Sequence, residues 1–244
     1  MEKTVAIIQA RTGSTRLPGK VLMPIGNQSM LARVVNRVRR TKSLEQTVVA
    51  TSTSPNDNAI VQECERIQVP VFRGSENDVL DRYYRAAVQY GATGIVRITT
   101  DCPMIDPAVI ELVLLGFKTK HPDYASNCLQ RTYPRGLDTE VMTFSALERA
   151  WKESKFAFQR AHVTPYIYKN SDLFKLESVT GGADNSKYRW TVDTQEDLNL
   201  IRTIYARFGN TDTFSWQDAM MLMKLDPRLA AMNQHVRQKE MQEG

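Results

Sequence analysis

Through its first half the chain alternates short apolar runs with amphipathic stretches, and this pattern constrains the fold more than any other feature. Residues 4–9 form one apolar run, and residues 47–51, 69–72 and 94–99 repeat it. Runs of this length, bounded by turn residues, fit strands buried on both faces. Between them, Met30, Leu31, Val34, Val35 and Val38 recur at helical spacing, as do Ile60, Val61, Cys64 and Ile67. Ser29 is placed to cap the first of these helices. Strand followed by helix, repeated, predicts an α/β fold: a mostly parallel central sheet with helices on both faces and right-handed crossovers. Pro70 cannot donate to a ladder, so the run at 69–72 belongs at an edge. A third helix is expected over 77–87, capped by Asn77 or Ser75. A fourth should start near Pro107, with proline in its first turn.

From residue 123 the pattern loosens. Strands are expected over 123–127, 139–144 and 173–179, and a helix over 145–154 capped by Ser145, with a basic, polar loop at 130–136. This region, about 123–187, reads as a smaller secondary sheet or arm. Strand character returns at 189–192, and a helix follows over 195–207 with Leu198, Ile201, Ile204 and Tyr205 inward. The expected organisation is one domain over 1–210 and a helical tail over 211–244. Met220, Met221, Leu222 and Met223 in that tail read as packing residues, and residues 238–244 are expected to fray.

At 244 residues and 42% hydrophobic, the chain can build one sizeable core. No run of about 18 apolar residues occurs, so no membrane span is expected. Met1-Glu2-Lys3-Thr4 leads directly into a strand, without the layout of a signal peptide. The cysteines, Cys64, Cys102 and Cys128, are scattered, which fits a reduced, cytoplasmic chain without a cysteine metal site. A net charge of +5 requires no nucleic-acid partner. Arg33, Arg37, Arg39, Arg40 and Lys42 cluster on one helix without interleaved aromatics and read as a solvated face.

The first strand ends in Ala10-Arg11-Thr12-Gly13-Ser14-Thr15-Arg16-Leu17-Pro18-Gly19-Lys20. Glycines let backbone N–H groups approach an anion, hydroxyls add donors, and Arg and Lys add charge, so the loop reads as a phosphate-binding turn. It is not a Walker A loop, because Val21 follows Lys20 where Ser or Thr is required, and it is not G-x-G-x-x-G. An ordinary strand-to-helix loop with solvated charges is the alternative. Asp101 follows the strand at 95–99, and Asp193 follows the run at 189–192. Ligands of open α/β sheets sit beyond the carboxyl ends of the strands. Two carboxylates there, facing a basic loop, suit magnesium beside a polyphosphate. Each also has a plainer reading, Asp193 as a helix cap and Asp101 as a turn residue.

The loop from Ala10 to Lys20 resembles the N-terminal signature of the sugar-acid cytidylyltransferases, the enzymes that activate sialic acids and 3-deoxy-manno-octulosonic acid with CMP. Thr100-Asp101-Cys102-Pro103-Met104-Ile105 and Val192-Asp193-Thr194-Gln195-Glu196-Asp197-Leu198 resemble two further segments of that family. Three more stretches point to its spore-coat polysaccharide biosynthesis branch. They are Asp78-Val79-Leu80-Asp81-Arg82-Tyr83-Tyr84, Gly136-Leu137-Asp138-Thr139-Glu140-Val141 and His162-Val163-Thr164-Pro165-Tyr166-Ile167. The likeness covers roughly residues 4–208. Thr100 stands where the family has glycine, and Ala161 stands where an acidic residue is expected before His162.

The resemblance implies a Rossmann-like nucleotide-diphospho-sugar transferase fold, CTP as donor, magnesium and a homodimer. It implies a nucleotide site of Ala10, Arg11, Thr12, Gly13, Ser14, Lys20, Thr51, Ser52, Arg82 and Asp101. Within it, Arg11, Lys20 and Asp101 would act in catalysis, and Asp101 and Asp193 would hold the metal. The expected reaction transfers CMP from CTP to an acidic sugar, releasing pyrophosphate, in surface polysaccharide or glycan synthesis. Acceptor-binding candidates come from the irregular middle: Arg135, Asp138, Glu140, Arg160 and His162, where an arginine suits a sugar carboxylate. No general base is assigned.

Two other classes compete. One is a transferase of the same fold with another nucleotide or acceptor. Guanylyltransferases of this shape usually open with Ala-Gly-Gly and related glycosyltransferases carry Asp-x-Asp, and this chain has neither at the matching places. The other is a non-catalytic nucleotide-binding subunit.

Overall fold

The apolar run at the start of the chain is β1 (Thr4–Gln9), buried from Thr4 to Ile8. It is central to a seven-stranded sheet in the computed structural model, which describes residues 3–238. Two short strands, β2 (Pro24–Ile25) and β3 (Gln28–Ser29), form a small antiparallel hairpin after the basic loop. The main sheet continues with β4 (Gln46–Ser52), β5 (Val71–Gly74), β6 (Gly94–Thr99), β7 (Tyr124–Ser126), β8 (Glu140–Thr143) and β9 (Leu176–Ser178). Its order is β5-β4-β1-β6-β8-β7-β9. Every pairing is parallel except the two made by β8. The strand holding the residues next to Pro70 is indeed at an edge. The strands expected in a separate arm instead extend the main sheet, and the small second sheet is the β2–β3 hairpin.

Alternation along the strands sorts the layers. Ala6 and Ile8 pack with helices α1 (Met30–Val38), α2 (Asn58–Arg66) and, across β6, with the helix that begins at Pro107. Val5 and Ile7 face α3 (Val79–Gln89) on the opposite side. That helix at Pro107 is α4 (Pro107–Lys120), and α5 (Phe144–Glu153) lies on the side of α3. Two short helices, α6 (Ala157–His162) and α7 (Pro165–Tyr168), occupy the stretch around Pro165. A third cluster gathers α8 (Gln195–Arg207), α9 (Trp216–Leu225) and α10 (Arg228–Ala231) around the fully buried Trp190. No helix among the described residues is long and apolar enough to cross a membrane.

Several local expectations are corrected. Asp78, not Asn77 or Ser75, caps α3, its carboxylate accepting from Asp81 N at 2.9 Å; Ser75 Oγ instead accepts from Asp78 N. Thr143, not Ser145, caps α5 and accepts from Ala146 N at 3.1 Å. Residues 189–192 form no strand and make only a single bridge, Arg135 to Arg189. Gly136 explains the closeness there. It adopts φ 108°, and a Cβ at this position would stand 2.6 Å from the carbonyl carbon of Trp190, so only glycine fits.

The largest correction concerns the basic helix. Arg33 and Arg37 are buried, not solvated. Arg33 donates to Ile25 O and Asn210 O and pairs with Asp212 at 3.2 Å. Arg37 donates to Ile105 O at 2.6 Å, to Asp212 O and Phe214 O at 3.1 Å, and to Asp106 at 3.4 Å. Both guanidinium groups also lie over aromatic rings, those of Tyr205 and Phe214. These two side chains fasten the start of the tail to the sheet domain. Arg39, Arg40 and Lys42 are exposed, as read, but lie beyond the end of α1 rather than on it. Residues 239–244, most of the stretch expected to fray, lie outside the described residues.

Candidate active site

The chain leaves β1 toward β4 and β5 and returns on its other side at β6, so β1 and β6 flank a switch in strand order. Crevices form at such points, beyond the carboxyl ends of the strands. A cleft of about 590 Å³ opens there. Its floor begins where β1 and β6 end side by side, with Gln9 paired to Thr99. The basic loop makes one wall, and Asp101, Thr191 and Asp193 make the other.

The loop is held by its own backbone. Thr12 O accepts from Ser14 N at 2.8 Å and from Gly19 N at 3.0 Å. Gly19 takes φ 69° and starts the short turn Lys20–Leu22. That turn sends Lys20 inward, where Nζ donates to Val192 O at 2.7 Å and Asp193 Oδ1 at 2.8 Å and lies 3.5 Å from Asp101 Oδ2. Burial disfavours the Lys20 ammonium, but the two carboxylates outweigh it and raise the pKa above the ordinary lysine value. Asp193 is shared further: Arg16 reaches its Oδ2 at 2.9 Å and Arg189 reaches it at 2.8 Å. Burial works against this carboxylate too, yet Lys20, Arg16 and Arg189 hold its pKa below the usual range.

Asp193 is supported from behind. Asp197, fully buried, accepts from Asp193 N at 2.9 Å and from Arg189 Nε at 2.9 Å. Asn233, in the tail, donates to Asp197 at 2.8 Å, and Gln238 accepts from Arg189 at 2.6 Å. The tail therefore reaches the site. Gln238 itself lines the cleft.

Arg82, on α3, is the clearest sign of an anion. Its Nε and Nη1 are buried, and neither has a hydrogen-bond partner among the described residues. Burial lowers its pKa, and the neighbouring Arg11 adds to the effect. A buried guanidinium without acceptors is costly, and it is relieved by a ligand that brings negative oxygen atoms.

Of the residues singled out from sequence, Ala10, Arg11, Gly13, Ser14, Lys20, Arg82, Asp101, Asp193, Arg135, Asp138 and His162 all line this one cleft. Five do not. Thr12 and Ser52 turn to Asp57 instead, and Thr51 is fully buried in β4. Arg160 pairs with Asp78 at 2.5 Å and donates to Trp151 O. Glu140 lines an adjoining cavity, where it accepts from Arg97, from Tyr124 at 2.6 Å and from Thr164 at 2.6 Å. Asp138 is held by Arg131 in a bidentate pair of 2.6 and 2.8 Å. Burial raises its pKa, but Arg131 more than reverses that. Arg131 is thereby occupied, whereas the guanidinium of Arg135 has no hydrogen bond or ion pair among the described residues. His162 ends α6 at the cleft rim, where Val163 is forced to φ 73°. A β-branched residue in that conformation stores about 1–3 kcal/mol.

Sequence reasoning passed over Arg16 and Arg97 as site residues. Arg16 sits in the same loop as Lys20. Arg97 is the one charge inside an otherwise apolar strand, and its side chain lines both the cleft and the adjoining cavity.

Residues 5–224 match the family model described as Cytidylyltransferase. The chain belongs to the cytidylyltransferase family. Among curated relatives, the spore coat polysaccharide biosynthesis protein SpsF of Bacillus subtilis is 32% identical over 241 residues, covering 94% of this chain and 98% of SpsF. The solved structure of a cytidylyltransferase from Leptospira borgpetersenii is 35% identical, with a TM-score of 0.91 over 98% of this chain and 100% of that one. A CMP:2-keto-3-deoxy-manno-octonic acid synthetase solved with CTP shares the fold at a TM-score of 0.68. Its identity is 20%, over 84% of this chain and 99% of the other.

Proposed function

We propose that this cytidylyltransferase moves the cytidylyl group of CTP onto a hydroxyl of an acidic sugar, releasing pyrophosphate, in the synthesis of a surface polysaccharide or glycan. The observation that carries the reading is Arg82, whose buried Nε and Nη1 have no hydrogen-bond partner among the described residues, in a cleft also lined by Arg11, Arg16 and Lys20. Six cations line the cleft, Arg97 and Arg135 besides these four, and that density of positive charge suits a triphosphate.

In the reaction, the acceptor oxygen forms a bond to the α-phosphorus, the bond from that phosphorus to the pyrophosphate oxygen breaks, and the hydroxyl proton passes to water. Such chemistry depends on positioning and charge neutralisation. Lys20 and Arg11 would balance the charge that grows on the departing pyrophosphate. Arg135 is placed to take the carboxylate of the acceptor, since Arg131 is already paired.

Asp101 and Asp193 would hold magnesium. The fit rests on their donor chemistry: hard carboxylate oxygens already flank one cationic atom, Lys20 Nζ. Among the described residues no cluster of three or more metal-ligating side chains exists. Magnesium takes one or two protein carboxylates and otherwise keeps waters and phosphate oxygens. When bound, the ion supplies charge neutralisation on those oxygens.

Thermal unfolding in the presence of each of the four nucleoside triphosphates with magnesium tests the reading. At a hundredfold excess over Kd, CTP should stabilise by about 2.7 kcal/mol. For a chain of this size that is a rise of roughly 5–11 °C in Tm. An equal shift with GTP, or none with CTP, would refute it.

A further inference from the structure

We infer that Asp57 is a positioning residue for the triphosphate loop, an inference that rests on the nucleotide reading above. Asp57 is 2% exposed and sits in the turn Pro55–Asp57 that follows β4. Its Oδ1 accepts from both Thr12 N and Thr12 Oγ1, each at 2.8 Å. Its Oδ2 accepts from Ser52 Oγ at 2.5 Å. The carboxylate thus ties together the loops that follow two neighbouring strands.

Thr12 is the one member of the segment 10–16 that does not line the cleft. It turns its side chain and N–H away, onto Asp57, while its carbonyl gathers Ser14 N and Gly19 N. One residue therefore couples a buried carboxylate to the turn that aims Lys20. The anchor is itself fixed. Ser52 Oγ accepts from Ser54 N at 3.1 Å, and Arg73 donates to Ser52 O and Ser54 O at 2.9 Å each. Burial opposes the Asp57 charge, but the hydroxyl and amide donors around it hold its pKa below the usual carboxylate range. Groups that touch a ligand keep their geometry only when such supporting bonds lock them.

The test uses the full chain titrated calorimetrically with CTP and, separately, with inorganic pyrophosphate, alongside thermal melts. Asp57→Ala should weaken both ligands by roughly 10–100-fold, the scale of losing one hydrogen bond to a charged group. Asp57→Asn keeps an oxygen that accepts from Thr12 and should restore most of the affinity. A merely structural role would lower the melting temperature without this rescue of affinity. Wild-type affinity in folded Asp57→Ala, or Asp57→Asn as weak as Asp57→Ala, would overturn the inference. If Asp57→Ala does not fold, Thr12→Val cuts one of the two bonds from the loop and should weaken pyrophosphate in the same sense; unchanged affinity there would equally overturn it. A wild-type chain that binds pyrophosphate but ignores CTP would sink the nucleotide reading, and the pyrophosphate titration would still decide the role of Asp57.

Discussion

Replacing Lys20 with alanine is expected to lower turnover by about 10²–10³-fold, the usual cost of removing one preorganised charge from a transition state. The physical reason is position. Lys20 Nζ is held by Val192 O and Asp193 in the wall of the cleft, where the ammonium needs little reorganisation to meet a phosphate oxygen. The chain should stay folded. Asp193 keeps Arg16 and Arg189 as partners after the substitution, so no buried charge is left alone. The loss of the bond to Val192 O costs about 1–3 kcal/mol. Pyrophosphate release from CTP, measured over a panel of acidic sugars beside a far-ultraviolet melt, checks both halves. Wild-type turnover in Lys20→Ala would remove this residue from the reaction.

Arg37→Ala is expected to cost about 3–5 kcal/mol of stability, because it breaks a buried ion pair and leaves the Asp106 charge with only the backbone donors Ala108 N and Trp216 N. The lost side chain satisfies three carbonyls and leans on Asp106, which is 2% exposed. On a chain of this length such a loss lowers Tm by roughly 6–20 °C. Arg40→Ala is the control. Arg40 also donates to Asp212 O but is exposed, and bonds of that kind are worth up to about 1 kcal/mol. Urea midpoints of the two variants should differ plainly; equal midpoints would mean that the buried clasp contributes nothing.

The parallel half of the sheet was legible because its signals are local. Apolar runs, helical spacing and capping residues all lie within a few positions of the element they define. The loop from Ala10 to Lys20, which lines the cleft, was legible for the same reason, since its glycines and cations fall within one stretch of eleven residues. What escaped depends on partners far along the chain. Arg33 and Arg37 look like a solvated stripe until residues 210–214 arrive to cover them. Arg160 and Glu140 look available until Asp78 and Arg97 are seen to occupy them. Thr12 reads as a ligand contact because its loop is one, yet its neighbour is Asp57, 45 positions away. Asp57 itself hides in Pro55-Asn56-Asp57, a run that any turn might carry. Residues 189–192 have the composition of a strand, and only the close approach at Gly136 shows why they make a single bridge instead.

The chain carries three tryptophans, and one of them gives the site an optical signal of its own. Trp190 is wholly enclosed, three positions before Asp193, and its backbone N–H donates to Arg135 O at 2.6 Å. Its indole therefore sits on the short segment that joins the anion wall of the cleft to the candidate acceptor arginine. None of the three lines the cleft, but Trp190 is the one next in sequence to a residue that does, Thr191; Trp151 is stacked on Tyr84 and Trp216 stands edge-on to Tyr133. With those two changed to phenylalanine, the remaining emission should shift when CTP is added and, under the proposed function, when an acidic sugar is added. Stopped-flow fluorescence could then time each arrival separately, with no dye attached and no product formed.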